Sequence, residues 1–129
     1  MKSGEIIARE TLRALGEVNK ILRTRAVLME QSGGVKSTTT KVEVLEYQNS
    51  PMIEGFLEAE TTRGTALCWS IDITWTADSF RIDASLDRNS GPHSETLHQL
   101  PSKILHSVEE LPSALIEMTQ QLLALEPSI

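Results

Sequence analysis

From Ala8 onward, Leu12, Leu15, Val18 and Leu22 recur at three- and four-residue spacing, with Ile7, Ala14 and Ile21 beside them. That period predicts an amphipathic helix. Ser3 is placed to cap its start, and Glu5 stands in the first turn where the helix dipole favours a negative charge. The opposite side carries Arg9, Arg13, Lys20 and Arg23, laced to Glu5, Glu10 and Glu17 at offsets of three and four. Such a face belongs in water. A membrane-surface helix fits it less well, because the glutamates would oppose anionic lipid. Arg25 falls inside the apolar stripe. Either the helix ends near Thr24, or Arg25 is buried and needs a carboxylate. The Ser32-Gly33-Gly34 punctuation favours a helix that runs on to that point.

Between residues 38 and 87 the period drops to two. Val42 and Val44 alternate with Lys41, Glu43 and Leu45, and Ile53, Leu57 and Ala59 with Glu54, Phe56 and Glu58. Leu67, Trp69, Ile71, Ile73 and Trp75 form the cleanest run, followed by Phe80, Ile82, Ala84 and Leu86. Four strands follow, each apolar on one side. Their connections, Gln48 to Pro51, Thr62-Arg63-Gly64 and Ala77-Asp78, are short enough to force antiparallel hairpins. After Ser90-Gly91-Pro92, residues Glu95 to Leu100 can add a fifth strand at an edge.

Further on, Ser107-Val-Glu-Glu110 reads as a capping box. Val108, Leu111, Leu115, Met118, Leu122 and Leu125 then make a second apolar stripe, with Pro112 in its first turn. Two striped helices and a sheet with one apolar face have one economical arrangement: both helices on that face. Residues 1–129 are therefore expected to form a single α+β domain. It has a four- or five-stranded antiparallel meander, with a long N-terminal helix and a C-terminal helix packed on one side. The other side should be wet, or bind something.

Turn length sets register, and register says what that wet side carries. A two-residue Ala77-Asp78 loop pairs Trp75 with Phe80, Ile73 with Ile82 and Ile71 with Ala84. It thereby sets Asp72 opposite Asp83, and Thr74 opposite Arg81. A three-residue Thr62-Arg63-Gly64 loop, glycine supplying the left-handed position, pairs Leu57 with Trp69 and Gly55 with Ile71, and so Glu54 with Asp72. For the first hairpin, pairing Val44 with Gly55 and Val42 with Leu57 places Lys41 opposite Glu58, and Glu43 opposite Phe56. Glu54, Asp72 and Asp83 thus form a lateral row of carboxylates, with Arg81 diagonal to Asp72. Like charges facing each other on a sheet cost about 0.2–1 kcal/mol per pair. Cations, solvent or a ligand must offset that.

Charge sharpens the picture. The chain has a formal net charge of −6, yet residues 1–36 hold seven basic against four acidic side chains, and the remainder five against fourteen. The strongly acidic remainder would repel phosphate, so nucleic acid is not an expected partner. Apolar runs such as Ala26 to Met29 are too short to span a bilayer. Gly4, Glu5, Arg9 and Glu10 interrupt what a signal peptide would need to keep apolar. With Cys68 as the one cysteine, a cytoplasmic protein without disulfides is expected.

Few residues offer chemistry. His93, His98 and His106 are spaced by five and eight, which matches no zinc-ligand pattern, and no histidine is placed to activate Cys68. Ser32 to Ser37 lacks the glycine–lysine spacing of a phosphate loop. No cofactor, metal or catalytic residue is assigned. The expected function is a cytosolic interaction module of inhibitor, immunity or chaperone type that binds a basic protein through its exposed sheet face. Glu54, Glu58, Asp72 and Asp83 would supply complementary charge with Arg81 beside them, and Leu45, Tyr47 and Phe56 the anchors. The alternative is a divalent-cation-binding or hydrolytic domain built on the same Glu54/Asp72/Asp83 row. A homodimer, through the helical seam or a basic first helix on a neighbour's acidic sheet, is a further possibility.

Overall fold

The computed structural model describes residues 4–47, 50–75 and 79–126, with only the backbone at Ile7, Tyr47 and Ser50. A helix α1 (Gly4–Ser32) leads into strands β1 (Val35–Tyr47), β2 (Ser50–Thr61), β3 (Ala66–Trp75), β4 (Phe80–Ser90), β5 (His93–Gln99) and β6 (Lys103–Leu105). A 3-10 turn (Val108–Glu110) then opens α2 (Leu111–Leu123). The sheet is an antiparallel meander in the order β1-β2-β3-β4-β5, and β6 pairs with the far end of β4 beyond β5. The expected α+β architecture is therefore present, with five strands in the meander.

α1 does continue to the double glycine. Gly33 and Gly34 take φ of 80° and 79°, a conformation that stops the helix and reverses the chain. The Ser3 cap lies outside the described residues. Ser107 caps the second helical segment as a capping residue should, its hydroxyl accepting from the Glu109 N–H at 3.2 Å.

The core lies between the helices and one sheet face. Burial alternates along the strands, with Ile53, Leu57, Trp69, Ile71, Ile73, Ile82, Ala84 and Leu86 inside. α1 packs on β1 and β2, α2 on β3 and β4, and the two helices on each other. A Cβ on Gly55 would stand 3.3 Å from Ile71 Cγ2, 3.5 Å from Val42 Cγ2 and 3.6 Å from Val18 Cγ1. The missing side chain is what lets Val18 of α1 settle onto β2. The core's few polar groups are served locally: Thr119 Oγ1 donates to Leu115 O at 2.7 Å, and Trp69 Nε1 to Leu125 O at 3.2 Å.

Several expectations need correction. In α1 the buried line is Ala14, Val18, Leu22 and Ala26; Leu12 is 70% exposed and Ala8 is also exposed. The first turns stand off the sheet there, with an apolar groove between them and Val44, Trp75 and Phe80. Arg25 is half-buried in the groove between α1 and α2, with no carboxylate in ion-pair range among the described residues. In the first hairpin, Val44 pairs with Ile53 and Val42 with Gly55, two residues from the expected register. Tyr47 pairs with Ser50, so the strands run almost to the loop, whose residues 48 and 49 lie outside the described ones. Pro51 was expected in the connecting loop. It belongs to β2, but one residue beyond Met52, where pairing with β3 begins, and a missing N–H is tolerated there. Lastly, β6 is a short strand the periodicity does not mark.

The two remaining hairpins have the expected registers. Gly64 takes φ of 84° in a three-residue loop, and Thr61 N donates to Thr65 O at 2.7 Å. Trp75 pairs with Phe80 and their rings meet edge to face, centroids 5.9 Å apart. The Ala77-Asp78 loop between those strands lies outside the described residues.

Candidate functional site: an acidic sheet face

The corrected first hairpin lengthens the carboxylate row. Glu43 faces Glu54, Glu54 faces Asp72, and Asp72 faces Asp83, so four acidic side chains cross four adjacent strands at one level. Their parity puts them on the face that neither helix covers. Two residues along, Lys41, Phe56, Ser70 and Ser85 form the next row, and beyond it Thr39, Glu58, Cys68 and Asp87. On the other side lie Leu45, Met52, Thr74 and Arg81, with Ile104 of β6 opposite Arg81. The face is therefore an acidic band with apolar residues at its centre and one margin.

Among the described residues, cations reach only the two ends of the Glu43–Glu54–Asp72–Asp83 row. Lys41 Nζ stands 2.8 Å from Glu43 Oε2, and this pairing raises the lysine pKa. Arg81 Nε stands 3.0 Å from Asp83 Oδ2, and Arg81 Nη2 donates to Ser102 Oγ at 3.3 Å. Ser102 Oγ in turn donates to Asp83. Arg81 lies diagonal to Asp72, as expected, but its ion pair is with Asp83, its neighbour on the same strand. In the middle, Glu54 and Asp72 have no ion-pair partner among the described residues, and Asp72 Oδ1 is buried with no hydrogen bond.

Asp72 holds its proton far more tightly than an ordinary aspartate. Burial lifts the Asp72 carboxyl, and the Glu54 charge, a hydrogen bond with Glu54, and the Asp83 and Asp87 charges lift it further, to about 7. Near neutral pH the central carboxyl is thus poised between its two forms. In the neighbouring row Asp87 Oδ1 is also buried without a hydrogen bond, while Asp87 Oδ2 accepts from Ser85 Oγ at 3.4 Å. Cys68 sits between Glu58 and Asp87, and burial followed by those charges pushes its thiol up to about 12. It stays a thiol across the physiological range and is a poor nucleophile.

The expected anchors divide. Phe56 is half-buried between Lys41 and Ser70, and Leu45 is 36% exposed at the margin. The Tyr47 side chain lies outside the described ones. Sequence reasoning missed Glu43, which a two-residue first loop would have placed in the row. It also missed Asp87, which the expected third hairpin already sets opposite Cys68. Ser102 carries no signal, because it joins from the link between β5 and β6. Among the described residues no three His, Cys, Asp or Glu side chains are grouped to hold a metal ion.

Two apolar grooves open on the helix side. One, of about 450 Å³, runs between α1 and α2 past Ile21, Leu28 and Leu123. Another, of about 560 Å³, lies under the first turns of α1 beside Leu12, Val44, Trp75 and Phe80. No described helix is long and apolar enough to cross a membrane. No protein-family model matches the chain, and neither the curated proteins nor the solved structures contain a match to it.

Proposed function

We propose that this chain is a small cytosolic interaction module that receives a basic segment of another protein on its open sheet face, acting as an inhibitor, immunity-type protein or chaperone. The reading is carried by the adjacent Glu54 and Asp72. They lie on the face the helices leave free, and no cation of the described chain reaches them. The Glu54 charge opposes ionisation of Asp72, and an arriving lysine or arginine removes that penalty. Lys41 and Arg81 already neutralise the ends, so the vacancy for positive charge is central. Phe56 and Leu45 offer apolar contact beside it.

A cation-binding or hydrolytic role draws less support. The carboxylates lie along a row and do not converge as a metal's oxygen ligands must. The thiol in the neighbouring row is held protonated.

The test is binding of the partner captured from native cytosol, measured by calorimetry against wild type, Asp72→Lys and Glu54→Lys. A loss of affinity of tenfold or more in both variants, with circular dichroism unchanged, is expected. Full affinity in two folded variants would place the partner's site elsewhere. A pH series adds a second criterion. A cation beside Asp72 favours its ionised form, so binding should strengthen as pH rises from about 5 to 8, with proton release.

A further inference from the structure

The sheet has two edges, and they are built differently. The β5–β6 edge is broken up: two short strands separated by Pro101 and Ser102, preceded by Gly91 and Pro92, with a register shift between Leu86 and Asp87 in the pairing of β4 with β5. Such features stop a sheet from recruiting another strand. β1 has few of them. It is 13 residues long, contains no proline, and its one irregularity lies at the Val35/Ser37 end. Its only strand neighbour among the described residues is β2. α1 packs on β1 as well as on β2, half-burying Thr38, Thr40 and Val42, but its cover stops short of the loop end of the strand. The helix-side residue Val44 consequently stands 71% exposed on the strand.

The charge order along β1 matches a copy of itself. In antiparallel pairing, opposite residues share a face. A two-fold axis at Val42 sets Lys41 against Glu43 of the second copy, and Glu43 against that copy's Lys41. On the helix side the same register sets Val42 against Val42 and Thr40 against Val44. Lys41 and Glu43 already pair within one chain at 2.8 Å. The dimer would close them into a square of alternating charge, with opposite Cβ atoms about 4.5–5.5 Å apart. Moving the axis one residue either way sets Glu43 against Glu43 or Lys41 against Lys41. Only the Val42 register is complementary.

We propose that two copies of this chain associate through antiparallel pairing of their β1 strands about Val42, joining the two sheets into one. This inference stands independently of the partner proposed for the acidic face.

Sedimentation equilibrium on the wild-type chain at a concentration on the order of 100 µM should give a dimer. Lys41→Glu and Glu43→Lys, each opposing like charges across the axis, should weaken dimerisation at least tenfold. Mixed in equal amounts, those two variants should form the dimer that neither forms alone, because Glu then faces Lys at every crossing. The double variant K41E/E43K keeps the alternation and should dimerise like wild type, which serves if a single variant fails to fold. A wild-type monomer at this concentration would overturn the proposal. So would a dimer insensitive to both reversals, or a mixture that stays monomeric.

Discussion

Asp72 shows how one residue can be unremarkable in type and unusual in setting. An aspartate on the outer face of a strand ordinarily ionises near 4. Here burial and the Glu54, Asp83 and Asp87 carboxylates raise it to about 7. The sign of the stability effect follows. The folded state holds the proton more tightly than the unfolded chain, so the contribution to stability is complete below pH 3.8. It is lost progressively as pH rises toward 7. Asp72→Asn should therefore stabilise the fold at pH 8, on the order of 1–3 kcal/mol once solvent screening of a half-buried group is allowed for. At pH 3.5 the two proteins should unfold alike. Urea titrations at the two pH values measure this; an equal difference at both would mean that packing and not ionisation is responsible. The setting was only partly legible in the sequence. Strand register put Asp72 between two carboxylates, but nothing in the sequence shows that Oδ1 is closed off from water and donors.

At the scale of elements, hairpins were readable where both strands carried large apolar residues at period two. Trp75 and Phe80, or Ile73 and Ile82, allow one register and no neighbour, because a slip of one exposes the whole set. The β1–β2 hairpin lacked that discipline. Lys41, Val42, Glu43 and Val44 alternate equally well two residues along, and Pro51 suggested a longer loop than the one that forms. β6, with three residues, is too short for any period to announce it. In α1 the sequence joined Leu12 and Leu22 in one stripe, and the structure separates them: Leu22 is fully buried and Leu12 is 70% exposed. Leu22→Ala should accordingly cost about 2–5 kcal/mol and Leu12→Ala under about 0.5 kcal/mol. Chemical denaturation of the two variants would decide it, and similar losses in both would return Leu12 to the core.

The whole molecule divides its labour between two faces of one sheet. Helices α1 and α2 bury the apolar side and give the domain its stability. The opposite side needs only strand geometry to hold its carboxylates in line, and neither helix covers it. This division explains why a chain whose net charge is −6 tolerates four acidic side chains in contact order. Lys41 and Arg81 close the ends of the row, and at its centre the raised pKa of Asp72 favours a protonated carboxyl. A basic segment docking on this face would take over the role of that proton. The most direct measurement is a carboxyl-carbon NMR titration of Asp72, in the free protein and with a saturating arginine-rich peptide as probe. The account requires a midpoint near 7 in the free protein that moves down when the peptide binds. A midpoint near 4 in both samples would contradict it, because the row would then be an ordinary solvated surface with no vacancy for a cation.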